Sequence, residues 1–483
     1  MTIEIAITVV FLLTSMGMIL LAERAKNSIG LVHMLFFLVF VNGLHLAGLI
    51  ENNDRHYDLT YYLLTHIVVL FYLGLFTIGI LWLKGSRFAP SQDRIFKSAM
   101  DMRNGWLFAA FLGWLAVKAF LVLRYGASAF SLLSHLQGKD AISHFYAWWE
   151  APIEFYARAF AVGASGVYVV KTLFKKGFWY KYWPVTGSFL VFFTVYVGTH
   201  SSVVGPRRFM LLLVIFGLVT IAWRHQKRVS SFLVSKWRVF LLTSIILLGA
   251  ASYYQTIRNN FFQPDIADKL LSHNPLTFVK GLAQAMIPVP ESERINSHAA
   301  FFREGPWDIV YDVIQRRGDG NPGTNGAITA NAFASVVPRI IAGKGKKDVN
   351  ADDFLENKMS IAPTGPYLAP DLATSLLAIL MADFGYIGVL IAPAVMLFAL
   401  TLFSYIPQRG ILATPLLILF FFSALLNLSA NVEGSLVPIL STFRDAAILI
   451  LALLPFSFLS NSSAKKAPKH TTSQYLLQSQ KRW

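Results

Sequence analysis

The sequence predicts an all-α polytopic integral membrane protein with about eleven transmembrane helices and one large hydrophilic loop on the outer side. Three observations predict it. Of 483 residues, 55% are hydrophobic and 14% charged, against roughly 25% charged in an ordinary soluble domain. Apolar runs of about 20 residues, the length that crosses a bilayer core, recur along the chain, and mean hydropathy is +0.53. Lys and Arg gather in alternate connections between these runs, the bias that sets orientation.

The runs lie at 3–22, 29–49, 60–83, 105–123, 152–171, 184–200, 208–223, 239–254, 373–404, 411–430 and 438–459. The first, within MTIEIAITVVFLLTSMGMILLAERAK, has no basic n-region and no small-residue cleavage site. It reads as a retained helix and not as a signal peptide. The ninth is too long for a single span, so its beginning is expected to pack against protein ahead of the helix proper. Basic residues follow every odd-numbered run: Arg24 and Lys26; Lys84, Arg87, Arg94, Lys97 and Arg103; Lys171, Lys175, Lys176 and Lys181; Arg224, Lys227, Arg228, Lys236 and Arg238; Arg409; and the tail SSAKKAPKHTTSQYLLQSQKRW. Together they hold more than half of the chain's 42 Lys and Arg. The positive-inside rule makes these connections cytoplasmic, with the N-terminus outside and the C-terminus inside. The chain divides into eight spans over 1–254, a large outer loop over 255–372, three spans over 373–460 and a basic cytoplasmic tail over 461–483.

Composition also excludes function classes. The chain has no cysteine, hence no disulfide framework, thiolate metal site or thiol chemistry. The net charge of +16 follows from the positive-inside bias, so no nucleic-acid partner is expected. The loop carries 12 Lys/Arg and 13 Asp/Glu and is nearly neutral. Its GDGNPGTNG stretch is turn-rich, while DKLLSHNPLTFVKGLAQAMI and FASVVPRIIAG read as short helices or re-entrant pieces. There is no 20- to 50-residue repeat of the kind that marks repeat architectures.

Arginines at the outer ends of the spans stand against the topogenic bias. Arg207 and Arg208, in THSSVVGPRRFMLLL, open the seventh run; Arg258 follows the eighth; Arg339 lies in SVVPRIIAG; Arg444 lies in EGSLVPILSTFRDA. A single arginine there is ordinarily a snorkelling residue. Gly205-Pro206 starts the seventh helix abruptly and aims its free N–H groups at the arginine pair. Guanidinium groups bind phosphate oxygens bidentately and keep their charge in apolar surroundings. A lipid-linked pyrophosphate at the outer leaflet would need such a cluster. No HExxH pattern or DxD pair stands on the outer face; residues 350–353, Asn-Ala-Asp-Asp, are a poor match. No metal and no cofactor is expected.

HSSVVGPRRFMLLL resembles the Gly-Ser-Arg segment that opens a middle helix in O-antigen and exopolysaccharide repeat-unit polymerases of the Wzy type, distant relatives of the O-antigen ligases. SVVPRIIAGKGKKDVNADDF resembles their Val/Ile-Pro-Arg motif with its Lys-rich continuation. SLLAILMADFGYIGVLI resembles their Asp/Asn-Phe-Gly-x-x-Gly entry into the following span. Here Gly-Pro-Arg-Arg replaces Gly-Ser-Arg, which leaves open whether Arg207 or Arg208 corresponds. The resemblance implies a GT-C-like polymerase or ligase architecture in a bacterial inner membrane, with its active site facing the periplasm. It implies transfer of a glycan from undecaprenyl pyrophosphate to the terminal hydroxyl of a new lipid-linked repeat unit, in some systems with a chain-length-regulating co-polymerase as partner. On that carry-over Arg207 or Arg208, with Arg258, Arg339 and Arg444, would bind the pyrophosphate and stabilise it as leaving group. Lys346 and Lys347 read as solvated surface charges.

The acceptor hydroxyl needs a base or an orienting acceptor. His298 in RINSHAAFF is the first choice; Asp383 and Glu433 are the others retained, ahead of His273, His200 and Glu154. Asp383 stands between apolar stretches, where an unpaired carboxylate is costly, so its alternative is an ion pair with one of the arginines. Glu433 has Arg444 as a candidate partner. The aromatics of HFYAWWEAPIEFY read as an interfacial belt. Two rivals stand beside the polymerase: a ligase that moves finished polymer to lipid A core or protein, which shares fold and leaving group, and, from a different class, a transporter or lipid flippase. The transporter class is hinted at only by Lys118 and Arg158 inside apolar runs.

Overall fold

The computed structural model describes residues 2–25, 27–50, 57–84, 92–125, 149–199, 206–224, 264–270, 274–287, 306–320, 322–337, 375–406, 414–431 and 436–464, with a few isolated positions between them. Among these, all regular structure is helical. In chain order the helices are α1 (Thr2–Ala22), α2 (Ser28–Phe37), α3 (Leu44–Ile50), α4 (Leu59–Leu83), α5 (Gln92–Asp101), α6 (Asn104–Tyr125), α7 (Glu150–Phe174), α8 (Phe178–Lys181) and α9 (Trp183–Thr199). They continue with α10 (Pro206–Arg224), α11 (Pro264–Leu270), α12 (Pro275–Ala285), α13 (Pro306–Gly318), α14 (Ala327–Val336), α15 (Leu376–Phe384), α16 (Ile387–Tyr405), α17 (Pro415–Ser429) and α18 (Leu436–Ala464). A π-helical turn, Leu38–Gly43, joins α2 to α3.

Local chemistry starts several of these helices where the apolar runs begin. Asp58 caps α4 through the amides of Thr60 and Tyr61, Asn27 caps α2 through Gly30, and Ser375 caps α15 through Ala378. Each cap satisfies amides that the helix itself leaves without partners. At α17, Thr414 accepts from the Leu417 amide and Pro415 occupies the first turn, where its missing N–H costs nothing.

Among the described residues, seven helical stretches are long and apolar enough to cross a membrane: Ile3–Ala25, Ile29–Ile50, Leu59–Leu83, Asn104–Tyr125, Glu150–Phe174, Ile387–Tyr405 and Leu436–Leu453. The expected sixth, seventh and tenth spans coincide with the shorter apolar helices α9, α10 and α17. The eighth, 239–254, lies outside the described residues. The long ninth run is two helices. Gly385, at φ 63° in a region that side-chain-bearing residues avoid, turns the chain between α15 and α16. The two then pack back to back, with Gly388 pressed against the Leu380 carbonyl.

α7 is the hub of one half of the bundle, packing on α5, α6, α10 and α17. α4 is the hub of the other, packing on α1, α13 and α16. α2 and α17 join the halves. Within α7, Gly163 lies against the Leu419 backbone and Gly166 against Leu426 and Phe422 of α17. Such close approach through small residues is how apolar helices gain van der Waals contact without a hydrophobic drive. One end of the bundle gathers basic residues on carbonyls: Lys84 donates to Arg24 O at 2.8 Å, Lys175 to Met100 O at 3.3 Å, and Lys171 and Arg224 to Met102 and Leu173. The opposite end carries α13, α14 and α15.

Candidate functional site

At that opposite end the first turns of α7 present Glu150, Glu154 and Arg158 four residues apart, hence along one stripe. The stripe meets α6. Glu150 forms an ion pair with Arg124 Nη1 at 2.7 Å and accepts from the Tyr125 hydroxyl at 2.5 Å. Lys118, which is 5% exposed, forms an ion pair with Glu154. Neither group could stay charged in apolar surroundings alone, so the pair explains how Lys118 is tolerated there. The charge of Arg158 reaches both Lys118 and Tyr196 of α9. Tyr196 in turn packs edge-on against Phe209 at 4.9 Å between ring centroids. Phe209 directly follows Arg208 in α10.

The other side of the same α7 turns meets α18. The Tyr156 hydroxyl donates to Asp445 O at 3.2 Å. Beside it, Arg444 commits its Nε to Asp445 Oδ1 at 2.7 Å and its Nη1 to Val336 O at 3.3 Å. Val336 ends α14, and its carbonyl is one of those a helix leaves without an internal partner. Arg339 follows three residues later. The α18 turn that bears Arg444 and Asp445 therefore meets both the end of α14 and the first turns of α7.

Two further contacts set α14. The Asp383 carboxylate, 3% exposed, accepts from Thr324 Oγ1 at 2.5 Å, the Ile328 amide at 3.1 Å and the Thr329 amide at 2.6 Å. It caps α14 from another helix. The neighbouring Arg317 donates to the Ala382 carbonyl at 2.7 Å, close to the turn at Gly385. Both its oxygens accept hydrogen bonds, and the guanidinium beside it goes to a carbonyl, so the described contacts of Asp383 are those of an anchor for α14.

Of the other expected residues, Arg207 and Arg208 lie in the first turn of α10, with side chains outside the description. Arg258, Arg339, His298 and Glu433 lie outside the described residues, as do His200, His273, Lys346 and Lys347. Glu154 is taken by Lys118, and the counter-ion of Arg444 is Asp445. Trp149, exposed at the start of α7 and near Phe120 of α6, suits an interfacial belt; Tyr156 turns inward to α18.

A second polar cluster went unnoticed in the sequence. His45 of α3 lies with Nδ1 3.4 Å from Asp308 Oδ1 and Nε2 3.0 Å from the Tyr62 hydroxyl. That hydroxyl donates to Glu4 O at 3.1 Å and stands 2.5 Å from Thr8 Oγ1, which is 3.2 Å from His66 Nε2. Tyr57 donates to Asp308 at 2.8 Å, Tyr311 accepts from the Asp58 amide at 2.8 Å, and Trp307 stacks on His45 at 3.6 Å. The cluster pins α13, from the long hydrophilic segment, onto α1, α3 and α4. Its one sequence signal was histidine inside apolar runs: His33, His45 and His66. His33 bridges Ser429 O at 3.1 Å and the Tyr72 hydroxyl at 3.0 Å, tying α2 to α17 and α4. No protein-family model matches the chain, and neither does any characterised protein or solved structure.

Proposed function

We propose that this polytopic, all-helical membrane protein is a glycosyltransferase that polymerises lipid-linked oligosaccharide repeat units. In this reading it has eleven spans, sits in a bacterial inner membrane, and carries its site and the 255–372 loop on the periplasmic face. The reading rests on Arg444 of α18, which meets the end of α14 beside the first turns of α7, and on the arginines that the sequence sets in the neighbouring segments, Arg207, Arg208 and Arg339. A pyrophosphate bound there meets several guanidinium groups in a setting of low water content, where fixed charges stabilise a leaving group most.

The chemistry uses that placement. The terminal hydroxyl oxygen of the incoming repeat unit forms a bond to the anomeric carbon of the growing glycan. The bond from that carbon to the carrier breaks, and its electron pair leaves on undecaprenyl pyrophosphate, held by the arginines. The hydroxyl proton passes to a base, for which His298 and Glu433 remain the candidates. The step draws on no metal and no cofactor.

The test is elongation by purified protein in vesicles supplied with lipid-linked repeat units and excess chelator. A ladder of products is expected. Loss of elongation that magnesium or manganese restores would refute the arginine-based mechanism, and transfer to lipid A core in place of elongation would favour the ligase. One observation favours the transporter or flippase class: the buried Lys118–Glu154 pair with Arg158 beside it, an ionic group of the kind that marks transport paths. Movement of the lipid-linked unit across the vesicle membrane with no elongation would establish that reading instead.

A further inference from the structure

Helices α11 and α12 form a hairpin whose two outer faces differ. On α11, Ile266 is buried against the hairpin while Asp265 and Asp268 are exposed. On α12, Gly281 and Ala285 are the buried positions. Its other face exposes Leu276, Val279 and Ala283, followed just past the helix end by Met286 and Ile287. These residues recur three and four apart and so form one stripe on a helical path. Leu276 is 73% and Ile287 62% exposed, too much for residues packed on the rest of the chain. Lys280 flanks the stripe, and Gln284 lies next to it. Asp265 and Asp268 are thus exposed on α11, while the exposed residues of α12 are mostly aliphatic.

We propose that the α12 stripe lies in the outer surface of the bilayer that holds the chain, as an amphipathic foot beside the membrane-spanning bundle. A tether supports this occupant. Asn260 Nδ2 donates to the carbonyls of Ala285 at 2.9 Å and Ile287 at 2.7 Å, clamping the end of the stripe. Asn260 follows the eighth apolar run, 239–254, by about six residues, at most roughly 20 Å of extended chain. On the proposed eleven-span reading, on which this placement rests, the stripe is held close to where that run reaches the membrane surface. Its composition also suits lipid better than protein. From Pro275 to Ile287 there is no Tyr, Trp or Arg, the residues that anchor protein interfaces, whereas an aliphatic face flanked by a lysine suits the headgroup boundary.

The chain is free of cysteine, so single cysteines at Leu276, Val279, Asp268 and Gln284 can each carry one environment-sensitive fluorophore in full-length protein in vesicles. Probes at 276 and 279 are expected to be quenched by spin-labelled lipids with the label near the headgroup and shielded from aqueous iodide. Probes at 268 and 284 should show the reverse order, by several-fold in each case. Iodide quenching at 276 and 279 equal to that at 268 would overturn the proposal by placing the stripe in water. Shielding from iodide without quenching by the lipid label would overturn it in favour of a protein occupant, such as a second copy of the chain. The assay reads position and not elongation, so it is independent of the enzymatic reading.

Discussion

Arg207 and Arg208 begin α10 one residue ahead of Phe209, which packs on Tyr196, so their backbone is fixed beside the Arg158 group. On the proposed reading, replacing with alanine the arginine assigned to the pyrophosphate should cost on the order of 2–5 kcal/mol if its partner charge is left unpaired, or ~30-fold or more in rate. Lysine should restore only part of this, since it keeps the charge and loses the bidentate fork. Polymer length and membrane protein level, measured together for Arg→Lys and Arg→Ala at both positions, check it. Normal polymer from the double alanine variant would reduce the pair to helix anchors. Asp383→Ala should behave differently. It strips acceptors from Thr324 Oγ1 and two α14 amides, at about 1–3 kcal/mol for each donor left buried and unmet. The expected result is a lower melting temperature together with lower activity, and Asp383→Asn should recover part of both because one oxygen remains. A variant inactive at unchanged melting temperature would return Asp383 to the chemistry. At this scale the sequence singled out Arg444 as a charge against topology but offered Glu433 as its partner where the structure has Asp445. It was not legible for Asp383, whose partners lie 54 to 59 residues away with no local pattern to announce them. The stripe of Glu150, Glu154 and Arg158 was open to view in its four-residue spacing, but its α6 partners could be named only once α6 and α7 were seen side by side.

Among the elements, the joint between α7 and α17 is the most exacting. A Cβ at Gly163 would run into the Leu419 backbone, whereas one at Gly187 of α9 meets nothing within 4 Å. Gly163→Ala should therefore destabilise the protein by about 1–3 kcal/mol, the range of overpacked cores, and Gly187→Ala should be neutral. Thermal unfolding in detergent, followed by size-exclusion profile, separates them; equal stability would mean that α7 and α17 stand further apart. The joint of α13 on the bundle makes a parallel forecast. His45→Ala leaves Asp308 without its imidazole and removes the ring nitrogen beside the Tyr62 hydroxyl, so cleavage by added protease within 306–320 should quicken. An unchanged cleavage rate would show that Tyr57 and Tyr311 hold α13 by themselves. Element boundaries were legible because apolar runs and capping residues coincide, as at Asp58 and Thr414. The excess length of the ninth run was legible too, but its break at Gly385 is a backbone property, and many glycines in apolar runs sit quietly inside helices.

For the molecule as a whole, orientation is the quantity on which the site depends. Cysteines at Asn325, beside α14, and at Ser473, in the basic tail, should label from opposite sides of the membrane, with Asn325 outside. Labelling from one side would remove the proposed periplasmic site. The long-range hydrogen bonds also set a timetable for biogenesis. Tyr57 and Asp58 wait for partners 251 and 253 residues downstream, and His33 waits for one 396 residues downstream. At a synthesis rate of roughly 5–20 residues per second, His33 would stay without Ser429 for about 20–80 s after it leaves the ribosome. During that interval the first helices reside in the membrane with polar groups bare of their final partners. The early half of this chain is thus a client in need of shelter, and its maturation is decided by the arrival of α17.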